Sequence, residues 1–116
     1  MFKLKRVYEA PSPDDGARVL VDRLWPRGVT KAKAALDLWL KDIGPSTELR
    51  NWFDHDPAKW SGFQDRYFKE LAGQTELVDE LRTRAREGAV TLLYAARDEA
   101  HNEAVALKAF LDKGRT

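Results

Sequence analysis

A chain of 116 residues, 43% hydrophobic and 34% charged, has the size and balance expected of one soluble globular domain spanning 1–116, with a core large enough to fold without staples. It has no cysteine, which excludes disulfides, thiolate metal sites and a Cys nucleophile, and its 20 basic and 19 acidic residues leave a net charge of +1, too little for general attraction to nucleic acid or anionic membrane. No run approaches the roughly 20 apolar residues of a membrane span, and Met1-Phe-Lys-Leu-Lys-Arg-Val has no signal-peptide core, so the expected location is the cytoplasm.

Residues 2–8 alternate apolar and polar, as a half-exposed strand does. Pro, Asp and Gly mark residues 10–16 as a loop. Residues 17–21, with Val-Leu-Val at their centre, read as a buried strand. A loop over 23–28 follows, stiffened by Pro26. Thr30 caps a short helix over 31–35. Residues 36–40 fit either a strand or a helical turn. Gly44-Pro45 breaks the chain, and Ser46 or Thr47 caps a short helix carrying Leu49, Trp52 and Phe53.

Asp56-Pro57 is a helix start, after which Trp60, Phe63, Tyr67 and Leu71 form one apolar face that Gly73 ends. Thr75 is the expected cap of the next helix, which carries Leu77, Val78, Leu81 and Ala85 and ends among Arg82, Arg84, Arg86 and Gly88. Residues 89–96 are the most apolar run and read as a central strand. Asp98 is the expected cap of a last helix with Ala104, Leu107, Phe110 and Leu111, and the tail 112–116 is expected to fray. The element order predicts an α/β fold: a mostly parallel sheet of three or four strands flanked by helices.

Two apolar runs end abruptly in charge, the first at Asp22, Arg23 and Arg27 and the second at Arg97, Asp98, His101 and Asn102. If both are strands of one parallel sheet, these clusters meet at the edge where open α/β sheets bind ligands. Arg23, Arg27 and Arg97 have the fork geometry for phosphate or carboxylate. Free N–H groups near residues 99–101, at the expected helix start, would favour the same charge. Asp22 and His101 are the candidate acid–base groups, and Arg23, Arg27, Arg97, Asp98 and Asn102 the candidate ligand contacts. The plainer reading makes Asp22–Arg97 or Arg23–Asp98 an ion pair and Asp98 a cap.

His55, between two carboxylates, has no second His at ligand spacing, and a turn beside a cap explains it better than a metal site. No P-loop, Gly-x-Gly-x-x-Gly, Gly-x-Ser-x-Gly or His-Glu-x-x-His motif implies a cofactor or metal. The expected partner is a small anionic ligand, for a monomer or homodimer. A rival is an interaction module using the Trp-rich helical face over 49–67. A nucleic-acid binder using Arg82, Arg84 and Arg86 is disfavoured by the charge balance and by the lack of a basic recognition helix.

Pro11-Ser-Pro-Asp-Asp-Gly-Ala-Arg-Val-Leu-Val-Asp-Arg-Leu-Trp-Pro-Arg-Gly28, Leu36-Asp-Leu-Trp-Leu40, Pro45-Ser-Thr-Glu-Leu-Arg50, Trp52-Phe-Asp-His-Asp-Pro57 and Leu92-Leu-Tyr-Ala-Ala-Arg-Asp-Glu-Ala-His-Asn102 together resemble the small bacterial YeaO-like proteins, within a larger domain family of unknown function. The resemblance covers nearly the whole chain. It implies a single small α/β domain and no established activity. Longer members of the larger family carry a Cys in the strand matching 92–95; here Tyr94 stands in that strand, so their thiol chemistry does not carry over.

Overall fold

The computed structural model describes residues 1–113. The expectation of a frayed tail falls partly on 114–116, outside the described residues; Asp112 and Lys113 belong to the last helix. In chain order the elements are β1 (Phe2–Arg6), a 3-10 turn (Pro13–Asp15), β2 (Ala17–Leu20), α1 (Lys31–Ala34), β3 (Leu38–Trp39), a 3-10 turn (Lys41–Ile43), α2 (Thr47–Phe53), a 3-10 turn (Pro57–Lys59), α3 (Trp60–Ala72), α4 (Thr75–Glu87), β4 (Val90–Tyr94) and α5 (Glu103–Lys113).

The four strands form one sheet in the order β1-β4-β2-β3. Every pair is parallel, with Phe2 opposite Val90, and Val19 opposite both Leu92 and Leu38. The α/β expectation holds. The ambiguous stretch 36–40 resolves as strand, but only Leu38–Trp39 pair with β2.

Both sheet faces are covered, which is why Arg18–Leu20 of β2 and all of β4 are buried without the alternation of a half-exposed strand. Val19, Val90 and Leu92 face the larger core with Phe53, Phe63, Tyr67, Leu81 and Leu107. Leu20, Leu93 and Val7 face a smaller one closed by Ala34, with Trp25 and Trp39 packed at its rim. The helical periodicity is realised in α3, where Phe63, Tyr67 and Leu71 are buried and Phe53 stacks on Phe63 at 4.4 Å between ring centroids. In α5, Ala104, Leu107 and Leu111 are buried.

The smaller face also holds a buried ionic cluster. The Asp15 carboxylate accepts from the Ser12 N–H at 3.0 Å, from Lys5 Nζ at 3.2 Å and from the Arg18 guanidinium. Arg18 Nη2 also donates to the Ala34 carbonyl at 2.8 Å, tying α1 to the sheet. Burial acts to raise the Asp15 pKa, but the Ser12 N–H, Lys5 and Arg18 together hold it below the ordinary carboxylate value. Between this cluster and β2 stands Gly16, at φ 62°, where a Cβ would lie 2.2 Å from the Ala89 carbonyl oxygen. Only glycine lets the chain pass that close to β4.

Capping follows the sequence in most places. Thr30 accepts from the Lys33 N–H, Ser46 from Leu49 and Asp56 from Ala58, the last opening a 3-10 turn that runs into α3. Two caps differ. Thr75 is the first residue of α4 rather than its cap, behind Gln74, which makes no side-chain cap bond. Asp98 does not cap α5. Its Oδ1 takes the N–H groups of Ala100 and His101, and Asn102 Oδ1 takes that of Val105, so Asn102 supplies the cap.

Candidate functional site

A parallel sheet brings all its strand exits to one edge. The β2 exit leads to α1 on the smaller face, and the β4 exit leads to α5, which packs on β4 and β1 across the larger face. The two exits diverge, so the crevice between β2 and β4 is the topological switch point of this sheet. All the candidate catalytic and ligand-contact residues lie on the two loops leaving it, 21–30 and 95–102, with Asn102 at the end of the second.

Asp22 sits in the crevice. Its Oδ2 accepts from the Ala95 N–H at 2.9 Å, stitching the two exits together. Its main-chain carbonyl accepts from Trp39 Nε1 at 2.7 Å. Oδ1 is buried with no hydrogen-bond partner among the described residues. Burial pushes the carboxyl up to about 6, against the Ala95 N–H and the Arg50 guanidinium, which both favour the ionised form.

The arginines part company. Arg23 Nε donates to the Pro45 carbonyl at 2.6 Å, and its Nη1 lies 3.9 Å from Asp42 Oδ1, so this side chain is spent on bracing the segment before α2. Arg27 and Arg97 are exposed, and neither guanidinium has a hydrogen-bond or ion-pair partner among the described residues. Neither expected ion pair, Asp22–Arg97 or Arg23–Asp98, is present. Asp98 instead serves its own loop. The Ala100 and His101 N–H groups and the His101 ring, with Nδ1 3.0 Å from Oδ2, hold it below the ordinary carboxylate value.

This overturns one expectation: α5 begins at Glu103, so His101 lies outside the helix, and its N–H and that of Ala100 are already taken by Asp98. His101 packs edge-on against Trp60 at 5.3 Å. Asn102 is buried, donating to the Asp98 carbonyl at 2.9 Å as well as capping α5. Tyr94 is buried at the end of β4. Burial and the carboxylates of Glu99 and Glu9 raise its pKa.

Sequence reasoning missed the far wall of the crevice. Arg50 on α2 is the cation that acts on Asp22. Glu70 on α3 accepts from the Ser46 N–H at 2.8 Å and from its hydroxyl at 2.5 Å. The Tyr67 hydroxyl donates to the Ile43 carbonyl at 2.8 Å, and burial, with the Glu70 charge, drives its pKa far up. Arg50 alone carried a signal, as a cation among the apolar positions Leu49, Trp52 and Phe53.

The rival surfaces are largely used internally. Phe53 and Phe63 are core, and Trp52 is half-buried between Lys59 Nζ at 5.3 Å and the Arg66 guanidinium at 4.0 Å. Arg82 lies over Phe110 and Arg84 pairs with Glu80, leaving Arg86 alone of the three exposed. His55 sits in the turn after α2 at φ 54°. No described helix is long and apolar enough to cross a membrane.

A family model described as the inactive DUF488-N3 subclade matches residues 1–115. The chain is 43% identical over 110 residues to uncharacterized protein YeaO of Escherichia coli K12, covering 95% of this chain and 96% of that one. It is 42% identical over 110 residues to uncharacterized protein Rv3073c of Mycobacterium tuberculosis, covering 95% and 92%. No solved structure matches the chain.

Proposed function

The chain belongs to the inactive DUF488-N3 subclade, and from that premise we propose that it is a non-catalytic binding domain whose ligand is a small anion seated at the β2 and β4 exits. The observation that carries the proposal is the pair Arg27 and Arg97. Both are exposed at the switch point and, among the described residues, neither is neutralised by a carboxylate. Clustered charges in folded proteins usually satisfy one another, as Arg23, Asp98 and Asp15 do here, so an unpaired arginine on each of the two loops that leave the switch point favours an external partner. Asp22 fits a supporting role: it ties the two exits together through the Ala95 N–H. Membership of a subclade described as inactive favours binding over turnover.

The experiment is a thermal-shift panel of phosphate, sulfate, nucleotides and sugar phosphates on the wild type and on Arg97→Ala. A ligand that binds the native state at roughly ten times its Kd raises Tm by about 5 °C. The expected result is a shift with one class of anion that Arg97→Ala abolishes without lowering its own Tm, since Arg97 is exposed and unpaired. No shift with any anion, or an equal shift in the variant, refutes the proposal.

A further inference from the structure

We infer that the anion taken at this edge carries a flat aromatic group, seated against Tyr8 and Leu24 while its charge meets Arg27 and Arg97; the inference rests on the anion-binding reading above. Three large hydrophobic side chains stand exposed among the described residues: Met1 at 65%, Leu24 at 65% and Tyr8 at 48%. Met1 precedes β1, at the opposite edge of the sheet. Tyr8 and Leu24 lie on the exits of β1 and β2, on the same edge as the two unpaired arginines. A lone exposed hydrophobic is ordinary. Two that share one edge with unpaired cations match the composition of a small-molecule site, an apolar surface with a few convergent polar groups.

Tyr8 is held in place. Its hydroxyl donates to the Arg27 carbonyl at 3.1 Å, reaching from the β1 exit to the β2 exit across the intervening end of β4. The Arg6 guanidinium lies 5.0 Å from the ring centroid and donates to the carbonyls of Ala95 at 3.1 Å and Ala96 at 3.0 Å. A ring fixed by its tip and by a cation needs little further ordering when a ligand arrives. Its flat surface suits a planar group better than a branched aliphatic one. Leu24 adds an apolar wall three residues before Arg27, and Arg97 directly follows the two carbonyls that Arg6 holds. A bare inorganic anion uses the cations and leaves both hydrophobics in water. An anion with an aromatic body uses all of these groups.

The test is calorimetric titration with methyl phosphate and with phenyl phosphate, which share a head group and differ in the ring. Wild type should bind phenyl phosphate about tenfold more tightly, the gain from burying roughly 60 Å² of apolar surface. Leu24→Ser and Tyr8→Ala should each shrink that ratio, and Leu24→Ser should do so with the methyl phosphate affinity unchanged. Leu24 is exposed and belongs to neither hydrophobic core among the described residues, so the serine variant folds as wild type does. Equal affinities in wild type overturn the inference and leave the anion site standing. A ratio unchanged in both variants overturns the assignment to Tyr8 and Leu24. Failure of both phosphates to bind overturns the anion reading and this inference with it.

Discussion

Asp22→Asn reads the crevice through its effect on stability. The carboxyl titrates near 6 in the folded chain against an ordinary value of 3.8. The folded state therefore holds the proton more tightly than the unfolded state. The resulting stability is fully present below about pH 4 and is lost as pH rises through 6. At about 1.4 kcal/mol per pH unit, that interval corresponds to about 3 kcal/mol carried as a penalty at neutral pH. Asparagine keeps an acceptor for the Ala95 N–H and carries no charge. Its amide nitrogen replaces the partnerless Oδ1 and returns about 1–2 kcal/mol of cost. At pH 7.5 the variant should thus exceed wild type by about 1–2 kcal/mol, and the order should reverse near pH 4. Urea unfolding followed by tryptophan fluorescence from pH 4 to 8 measures this. Arg50→Met, which removes the cation favouring ionisation, should move the wild-type step to higher pH. Parallel stability curves for wild type and Asp22→Asn across that range would refute the reasoning.

Two further substitutions test what holds the site's scaffold. Gly16→Ala drives a Cβ into the Ala89 carbonyl oxygen at a positive φ and should cost about 3 kcal/mol or more, read from the urea midpoint. Asp15→Asn leaves the Arg18 guanidinium buried without its counter-ion and should cost about 3–5 kcal/mol at pH 7. Its pH dependence opposes that of Asp22. The folded Asp15 value lies below 3.8, so its contribution is present above about pH 4 and is lost as pH falls through that lower value. The variant should lack this acid-side loss; an unchanged acid limb argues against the ion cluster.

What the sequence made legible was set by local physics. Val19, Leu20, Leu92 and Leu93 had to be strand because they form short apolar runs, and both faces of their sheet are in fact covered. The steps of three and four from Trp60 to Leu71 became the buried face of α3. Asp98 was misassigned because Asp98 and Asn102, four residues apart, are both side chains that trap N–H groups, and only the backbone path decides which one faces the helix. Arg23 looked like a ligand group until Pro45 and Asp42, supplied by a later part of the chain, occupied it. Arg50 and Tyr67 have no spacing relation to Asp22; the packing of α2 and α3 on the sheet brings them to it.

The strand order also governs how the chain comes into being. In sequence β1 and β2 are neighbours, but in the sheet β4 lies between them and is the partner of both. A ribosome that has released the first eighty residues has released two strands whose shared partner is not yet made. Val19, Leu20 and Val21, fully enclosed at the end, have β3 and α1 beside them but an open β4 side until then, and the sheet closes only when residues 90–94 emerge. Such late, long-range closure is slow and leaves sticky surface exposed to neighbouring chains.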